Sequence, residues 1–266
     1  MLYIVSTPIG NLSDISLRAL EVLKNVDFIL CEDTRHTLKL LNHYGIKKPL
    51  KSCHKFNEKQ CADSVLNELM NSDAALVSDA GTPCISDPGS LFLEEAIKRG
   101  IKFTVIPGAT AFVPALLLAG MRPPFTFVGF LPDKNKEASE LVRRAAKSGF
   151  NMIYYCAPQD MESFCKLLYE ELGDREAVAV REITKIYESA TPFKLSEGYN
   201  GELRGEFVIV VRGKEEESLL SDEELIKFYI ESGMDKKEAL KRVAKERKKP
   251  KSELYRFTLN DSEKRN

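Results

Sequence analysis

Four polar or Gly/Pro-rich motifs of this sequence each follow a short apolar run, and they are the residues that could do chemistry. They are Thr7 to Gly10, Glu32 to His36, Ser78 to Gly89, and Pro107 to Thr110. Because the carboxyl ends of parallel strands open onto one edge of a sheet, we expect the four motifs to share a binding pocket. One such motif alone is typical of a well-capped loop between a strand and a helix. Four together make a shared pocket the leading hypothesis.

The longest motif is the best candidate for the centre of the pocket. The apolar run Ala74 to Val77 predicts a buried strand, and the polar residues after it predict a tight loop. Asp87 and Pro88 predict the start of a helix, with Asp87 as the N-cap. The glycines of the motif allow a ligand to approach the backbone, and its two aspartates offer the ligand a charge.

Two common nucleotide-binding motifs and a metal site are not supported by the sequence. The first strand is followed by a single glycine before Leu12, so the GxGxxG pattern is missing, as is GxxxxGK[ST]. The three histidines are His36, His43 and His54, and they have no thiol at ligand spacing. We therefore expect no metal.

The order of predicted elements indicates an α/β protein of two domains with a helical tail. Residues 1–121 alternate strand and helix, which predicts a mostly parallel sheet with helices on both faces. Met121 to Pro124 breaks this pattern and predicts a domain boundary. Residues 122–214 have more adjacent strands, which predicts a mixed sheet, and residues 215–266 predict a basic helical module. The predicted strands are 2–5, 27–31, 49–53, 74–78, 103–106, 125–130, 151–156, 176–181 and 206–211.

Composition narrows the class of protein further. The chain has 266 residues, 43% hydrophobic residues and a net charge of −1, which argues against a protein wrapped in nucleic acid. Its six cysteines form no CxxC pair and predict reduced thiols and a cytoplasmic location. The start of the chain lacks a charged segment typical of a signal peptide. The most apolar window, Ala109 to Gly120, is too short to cross a membrane.

The tail contains the one strongly basic segment. Ser221 begins a predicted helix that Gly233 stops, and Asp235 caps a second helix. A third helix is predicted from Ser252 to Leu259. Short helices with a basic stripe between Lys236 and Lys251 are typical of a small helix-turn-helix module, and equally of a solvated pair of charged helices.

The motifs taken together resemble the ribosomal RNA small-subunit methyltransferase I family, the cytidine 2′-O-methyltransferase branch of the tetrapyrrole-methylase fold. The resemblance covers roughly residues 2 to 212, and the basic tail is similar to the small tail domain of many members. It rests on Val5 to Leu12, Glu32 to Thr37, Val77 to Pro83, Ser86 to Gly89, Pro107-Gly108, Gly129 to Pro132, Arg181 to Lys185 and Gly205 to Phe207.

The resemblance implies a homodimeric enzyme that takes its methyl group from S-adenosylmethionine, bound in the cleft between the two domains. The acceptor would be a cytidine ribose in the decoding centre of 16S rRNA, presented by the 30S subunit. By similarity, the donor-binding residues are Pro8, Gly10, Asp79, Gly81, Thr82, Pro83, Ile85, Ser86, Asp87, Thr110 and Ala111.

The implied reaction needs a group that accepts or positions a proton, because a ribose hydroxyl must lose its proton as it attacks the methyl group. The candidates for this role are Asp33, His36, Asp79 and Glu182. Arg35 or Lys185 would lower the pKa of the hydroxyl or hold a phosphate. In-line alignment of donor and acceptor would supply much of the rate. The alternative for Glu32, Asp33 and Arg35 is a local ion-pair network at a strand end.

One segment departs from the family pattern. Members usually have Tyr-Glu-Ser-Pro-His-Arg in the second domain, where this chain has Tyr155 to Asp160 with the sequence YCAPQD. Two other functions therefore stay open: a methyltransferase of the same fold that acts on a small molecule such as a tetrapyrrole, and a non-catalytic protein that binds RNA or the ribosome.

Overall fold

The computed structural model describes residues 1–53, 58–86, 89–214, 221–247 and 249–254. The chain divides into two compact units, Met1–Gly213 and Lys214–Asn266. Within the described ranges, every helix is too short or too polar to cross a membrane.

The first half of the larger unit is a five-stranded parallel sheet in the order β3-β2-β4-β1-β5. Its strands are β1 (Leu2–Val5), β2 (Phe28–Cys31), β3 (Leu50–Ser52), β4 (Ala74–Leu76) and β5 (Phe103–Ile106). Its helices are α1 (Leu17–Asn25), α2 (Thr34–His43), α3 (Glu58–Glu68), α4 (Ser90–Lys98) and α5 (Phe112–Leu118). The prediction of a parallel sheet for this half is confirmed.

The strands of this sheet are apolar at consecutive positions because both faces are covered. In β2, Phe28 and Leu30 pack into one core cluster, whereas Ile29 and Cys31 pack into the cluster on the other face. Helix packing on both faces explains such continuous apolar runs in parallel sheets. The sheet therefore holds its strands rigidly, and the loops at its carboxyl edge are fixed at their starting points.

The second half of the unit is a five-stranded mixed sheet in the order β6-β7-β10-β8-β9. Its elements are β6 (Phe125–Phe130), α6 (Asn135–Ala146), β7 (Asn151–Cys156), α7 (Met161–Leu172), β8 (Glu176–Arg181), β9 (Ser189–Lys194) and β10 (Phe207–Val211). β6 and β7 are parallel, and the other pairs are antiparallel. The predicted mixed sheet is confirmed. One face of the mixed sheet packs against α6 and α7, whereas its other face packs against α5 of the first half. The domain boundary at residue 121 stays a prediction.

Two elements differ from the sequence predictions. β9 was not predicted, because its sequence contains Pro192 and alternates weakly; the strand lies at the sheet edge, where a proline is tolerated. The predicted helix start at Asp87 and Pro88 is wrong. α4 begins at Ser90 with Gly89 as its N-cap, and Gly89 has a φ of 114° that a right-handed helix cannot contain. Asp87 and Pro88 themselves lie outside the described residues.

The smaller unit has three helices in its described part: α8 (Asp222–Glu231), α9 (Lys236–Glu246) and α10 (Lys251–Leu254). The predicted starts are confirmed, with a capping box between Ser221 and Glu224 and a cap by Asp235. The rest of the predicted third helix, residues 255–259, lies outside the described residues.

We expect the core of the mixed sheet to be sensitive to truncation at its central strand. Ile209 in β10 is fully buried, so Ile209→Ala should lower the free energy of unfolding by about 2–5 kcal/mol through lost burial and a residual cavity. Denaturant unfolding followed by circular dichroism would measure this. Ile186→Ala is the matched control, because Ile186 is 94% exposed and its truncation should cost less than about 0.5 kcal/mol. Equal losses in the two variants would contradict the assignment of the core.

Candidate active site

The four strand-end loops meet at the carboxyl edge of the parallel sheet, which confirms the predicted convergence. The backbones of Thr7 and Gly81 exchange two hydrogen bonds, 2.8 and 3.0 Å long. The Thr82 hydroxyl lies 2.9 Å from the Ser6 hydroxyl and donates to the carbonyl of Ala109 at 3.2 Å. These bonds join the loops that follow β1, β4 and β5 into one rigid rim.

The loop after β2 joins the same rim through a separate contact. The amide of Asp33 donates to the carboxylate of Asp79 at 3.2 Å. Asp79 thereby holds the beginning of α2 against the loop after β4. This contact accounts for a carboxylate at position 79 without requiring that it touch a ligand.

A cleft of about 290 Å³ opens between this rim and the mixed sheet. On the side of the rim it is lined by Ile9, Ala80, Gly81, Thr82, Ile85, Ser86, Thr110, Ala111 and Phe112. On the side of the mixed sheet it is lined by Phe130, Tyr155, Cys156, Ala157, Pro158, Ile183, Gly205, Glu206, Phe207 and Val208. Most of these groups are apolar, and the few polar ones are hydroxyls, backbone groups and one carboxylate. Such a lining is typical of small-molecule and cofactor sites.

The cleft contains part of the donor-binding set that the sequence predicted. It is lined by Gly81, Thr82, Ile85, Ser86, Thr110 and Ala111. Four more members belong to the same loops but do not line it: Pro8, Gly10, Asp79 and Pro83. The eleventh, Asp87, lies outside the described residues. The roles of all eleven stay predictions.

Gly81 occupies a position that suits a bound ligand. Its φ is +80°, which L side chains rarely adopt, and a Cβ there would lie 3.4 Å from Ile9 Cγ2. A side chain at this position would strain the backbone and crowd the rim that lines the cleft. Glycine therefore keeps the backbone of this loop accessible.

Two of the five predicted catalytic residues, Asp33 and Arg35, form a local ion pair at the start of α2, and a third, His36, follows them in the chain. The guanidinium of Arg35 donates to both carboxylate oxygens of Asp33, at 2.8 and 3.2 Å. The hydrogen bonds from the Arg35 side chain and amide lower the pKa of Asp33 to about 2, which makes it a weak proton acceptor at neutral pH. Arg35 and His36 are exposed, and Asp33, Arg35 and His36 do not belong to the lining of the cleft. The prediction that all four motifs share one pocket is therefore wrong for Glu32 to His36, because this loop meets the others at the sheet edge but lies outside the cleft.

The other two predicted catalytic residues, Glu182 and Lys185, lie in the loop after β8, directly behind the cleft wall. Lys185 Nζ donates to Glu182 Oε1 at 2.8 Å and to Glu206 Oε2 at 3.0 Å. Glu182 Oε1 also accepts from the amide of Glu206 at 3.0 Å. The stem of Lys185 lies against Gly10, where a Cβ would come within 2.6 Å of Lys185 Cγ. The ion cluster therefore ties the mixed sheet to the loop after β1.

This loop has an unusual backbone. Glu182 and Thr184 have φ values of 52° and 68°, a region that costs about 1–3 kcal/mol for a residue other than glycine. The carboxylate of Glu182 packs against Gly205, whose φ is 85° and where a Cβ would lie within 2.5 Å of it. The hydrogen bonds within the cluster of Glu182, Lys185 and Glu206 offset this strain.

The charges of this cluster stabilise each other. Partial burial raises the pKa of Glu182, but the hydrogen bonds from Lys185 and from the Glu206 amide outweigh it, so the pKa lies below its ordinary value. Burial lowers the pKa of Lys185, but its hydrogen bonds to Glu182 and Glu206 outweigh that effect and raise the pKa. Both groups are thus charged at neutral pH and are joined by a hydrogen bond. This is the behaviour expected of residues that position other parts of a site.

The segment that departs from the family pattern forms part of the cleft wall. Tyr155, Cys156, Ala157 and Pro158 line the cleft, whereas Gln159 and Asp160 do not. Burial raises the pKa of the Cys156 thiol to about 12, so this position is neutral where the family pattern has a glutamate. The departure therefore removes a charge from the wall itself.

Sequence reasoning missed most of the wall formed by the mixed sheet. Phe130 and Glu206 belong to this wall, although both lie in motifs on which the resemblance rests, and Phe112 on the rim side was also missed. The sequence signal that could have identified this wall is Phe130, an aromatic residue at the end of the predicted strand 125–130. The described part of the chain contains no group of three or more His, Cys, Asp or Glu side chains placed to hold a metal ion, and a metal-free reaction stays a prediction.

The fold and this cleft define the class of protein. A family model of tetrapyrrole (corrin/porphyrin) methylases matches residues 1–197. The crystal structure of diphthine synthase superposes with a TM-score of 0.63 at 15% identity, covering 79% of this chain and 89% of that chain. The fold is thus that of the tetrapyrrole methylases.

Relatives with higher identity narrow the class. The ribosomal RNA small subunit methyltransferase I of Bacillus subtilis is 39% identical over 270 residues, which cover 96% of this chain and 92% of the relative. The protein of the same name from Mycoplasmopsis pulmonis is 46% identical over 216 residues, covering 79% of this chain and 96% of the relative. This chain belongs to the ribosomal RNA small subunit methyltransferase I family, and it is a methyltransferase.

The ion cluster predicts a pH-dependent stability. Because the pKa of Glu182 lies below its ordinary value of 4.5, its ionised form stabilises the folded state above that pH, and this contribution is lost as the pH falls through the folded pKa. We expect wild type to have a higher Tm than Glu182→Gln at neutral pH, with a difference that shrinks in acid. Thermal unfolding across this pH range would measure it. Glu162→Gln, on the exposed face of α7, is the control and should show no such convergence; a constant difference for Glu182→Gln would reject the cluster's role.

Proposed function

We propose that this protein transfers a methyl group from S-adenosylmethionine to the 2′-hydroxyl of a cytidine ribose in the decoding centre of 16S rRNA, on the assembled 30S subunit. The observation that carries the proposal is the cleft between the carboxyl edge of a parallel sheet and a second sheet, in a chain of this methyltransferase family. The proposal includes a homodimer in the cytoplasm, where ribosomal subunits are found.

The chemistry of the cleft fits the donor. S-adenosylmethionine combines a flat, weakly polar adenine with hydroxyl groups and a charged amino-acid end. Apolar groups such as Ile9 and Val208 suit the adenine, while Thr82, Ser86 and Thr110 supply hydroxyls. Gly81 lines the cleft without a side chain, so a ligand can come close to this part of the rim. We therefore assign the donor to this cleft, with the predicted residues of the rim as its contacts.

Once bound, the donor supplies a methyl group on a positively charged sulfur, and the protein has to bring an oxygen into line with it. Water exclusion by the apolar wall and orientation by the rigid rim carry this task in our proposal. Asp33 and Glu182 are poor general bases at neutral pH because Arg35 and Lys185, respectively, hold their pKa values low. We propose that Glu182 and Lys185 position the wall of the cleft and that proton removal is not their role.

The test uses 30S subunits from cells that lack the corresponding methyltransferase. They are incubated with the protein and methyl-labelled S-adenosylmethionine, and the RNA is then hydrolysed in alkali. A 2′-O-methyl group removes the nucleophile that cleaves the neighbouring phosphodiester, so the label should persist in an alkali-stable dinucleotide. Label in a mononucleotide would indicate base methylation and overturn the proposed mechanism. Donor binding without label on RNA would favour a small-molecule acceptor, for which the neutral wall at Cys156 is the relevant observation.

The donor assignment predicts that filling the cleft blocks binding. Thr110→Trp places a large side chain at a position that lines the cleft and should weaken S-adenosylmethionine binding by about tenfold or more, since a well-packed site does not accept added volume. Isothermal titration calorimetry would measure the affinity. Thr191→Trp is the control, because Thr191 is exposed on the edge strand β9. This variant should bind S-adenosylmethionine with wild-type affinity. Unchanged affinity in Thr110→Trp would place the donor elsewhere.

We also propose that the tail contacts RNA phosphates. Lys237, Lys241 and Lys245 follow each other at intervals of four on α9, so they form one stripe, and all three are exposed. Among the described residues, no ion pair involves these three, whereas Arg242 pairs with Glu246. The opposite face of α9 is buried through Leu240 and its neighbours. The positive charges of this stripe are therefore accessible to an anionic partner.

The stripe predicts a change in the salt dependence of RNA binding. Replacing Lys237, Lys241 and Lys245 by Gln should reduce the slope of log K against log salt by about 2–3, at roughly 0.7–0.9 for each phosphate that the protein no longer neutralises. Filter binding to 30S subunits at several salt concentrations would measure the slope. The control replaces Lys24, Lys136 and Lys166, which are exposed on α1, α6 and α7, and changes the net charge equally. Equal slopes for the two triple variants would reject the role of the tail.

A further inference from the structure

Phe130 is a large apolar side chain that remains exposed to solvent in the wall of the cleft. It ends β6, lines the cleft and is 57% exposed. A large apolar ring left in water forfeits the free energy of its burial, and scattered exposed rings need no explanation. This ring, however, lies at the wall of a binding cleft, and the backbone is built to place it there.

A β-bulge aims Phe130 into the cleft. In the pairing of β6 with β7, Phe127 lies opposite Ile153, but the register then shifts so that Gly129 lies opposite Tyr154 and Phe130 opposite Tyr155. Side chains alternate between the two faces of a strand. Without the shift, Phe130 would lie on the face opposite to that of Phe127. With the shift, both rings share one face with Tyr155, and that face contributes to the cleft.

Glycine makes this bulge possible. Gly129 has a φ of 76°, and a Cβ there would lie 3.4 Å from the hydroxyl oxygen of Ser86 in the opposite wall. Bulges beside binding sites commonly redirect a side chain in this way. The positive φ of Gly129 thus permits the bulge, which turns the next residue toward the cleft.

Phe130 is also held by a row of aromatic rings. Phe112 packs on Phe127 with ring centroids 4.5 Å apart, Phe127 on Tyr155 at 5.2 Å, and Tyr155 on Phe130 at 5.3 Å. Phe112, Phe127 and Tyr155 are partly buried, and Phe130 is the exposed end of the row. The edge-to-face contact with Tyr155 fixes the orientation of the exposed ring. A ligand would therefore meet a rigid aromatic surface.

We infer that Phe130 is the surface on which the base of the methylated nucleotide stacks. This inference rests on the proposed function. A ribose that enters the cleft with its 2′-hydroxyl brings its own base to the cleft wall, and the nucleotide must first leave its stacked neighbours in the RNA. An aromatic side chain replaces the lost stacking, as is common where proteins recognise unstacked bases of RNA. In this inference Phe130 binds the acceptor, and the rim binds the donor.

The test compares variants at position 130 in the full-length protein. Phe130→Leu keeps an apolar side chain but removes the aromatic face, and it should lower kcat/KM for 30S subunits by about tenfold or more. Phe130→Tyr keeps the face and should retain most of the activity. In both variants the affinity for S-adenosylmethionine, measured by calorimetry, should stay within about twofold of wild type. Tyr169→Ala, which removes an exposed ring of α7, is the control and should leave all of these values unchanged.

Three outcomes would overturn the inference. If Phe130→Leu lost affinity for S-adenosylmethionine by the same factor as it lost kcat/KM for subunits, the ring would lie in the donor site. Full activity in Phe130→Leu would show that stacking is not needed. An equal loss in Phe130→Tyr would show that shape, and not the aromatic face, is what matters. A wild-type protein that binds the donor but transfers no methyl group to subunits would instead reject the proposed function, and with it this inference.

Discussion

The pair of hydrogen bonds between the backbones of Thr7 and Gly81 is the contact on which the site depends. β1 and β4 are neighbours in a sheet buried on both faces, so their ends are fixed before the loops begin. β1 and β4 are parallel, but beyond their ends Thr7 and Gly81 form an antiparallel bridge, which joins the two loops at the sheet edge. Thr7 and Ser78 are each only 3% exposed, and the hydroxyl of Thr7 donates to the Ser78 carbonyl. Buried polar groups with partners make this rim a defined surface and not a set of independent loops.

The mixed sheet supplies the other wall, and its geometry has to be maintained against local strain. The positive φ values of Glu182 and Thr184 are tolerated because Lys185 donates hydrogen bonds to the carboxylates of Glu182 and Glu206. In addition, Gly205 leaves room for the carboxylate of Glu182. A similar device operates in β6, where Gly129 permits the bulge. In both places a local departure from regular structure sets the direction of a side chain at the cleft. The precision of this wall thus comes from a few exceptional backbone positions.

Charge is distributed in the molecule in a way that separates two tasks. Within the larger unit, the carboxylates near the cleft are engaged: Asp33 with Arg35, and Glu182 and Glu206 with Lys185. The lining itself is largely apolar and neutral, which suits alignment and water exclusion more than strong acid-base chemistry. In the smaller unit, Lys237, Lys241 and Lys245 of α9 form one exposed stripe. The relatives are named for ribosomal RNA, which is a polyanion, and the proposed contact of this lysine stripe with RNA rests on that charge.

The sequence by itself determined the parallel and mixed sheets, the helical tail and the convergence of four strand-end loops. Apolar runs, helix caps and turn residues act locally, so they can be read along the chain. Only the tertiary structure decided which residues line the cleft. The bulge before Phe130 and the edge strand β9 depend on pairing between distant segments, and a shift of one residue changes the face on which a side chain lies. The ion pair of Asp33 with Arg35, two residues along the chain, is the alternative that the sequence itself offered. The ion pair of Lys185 with Glu206, by contrast, depends on the pairing of β8 with β10.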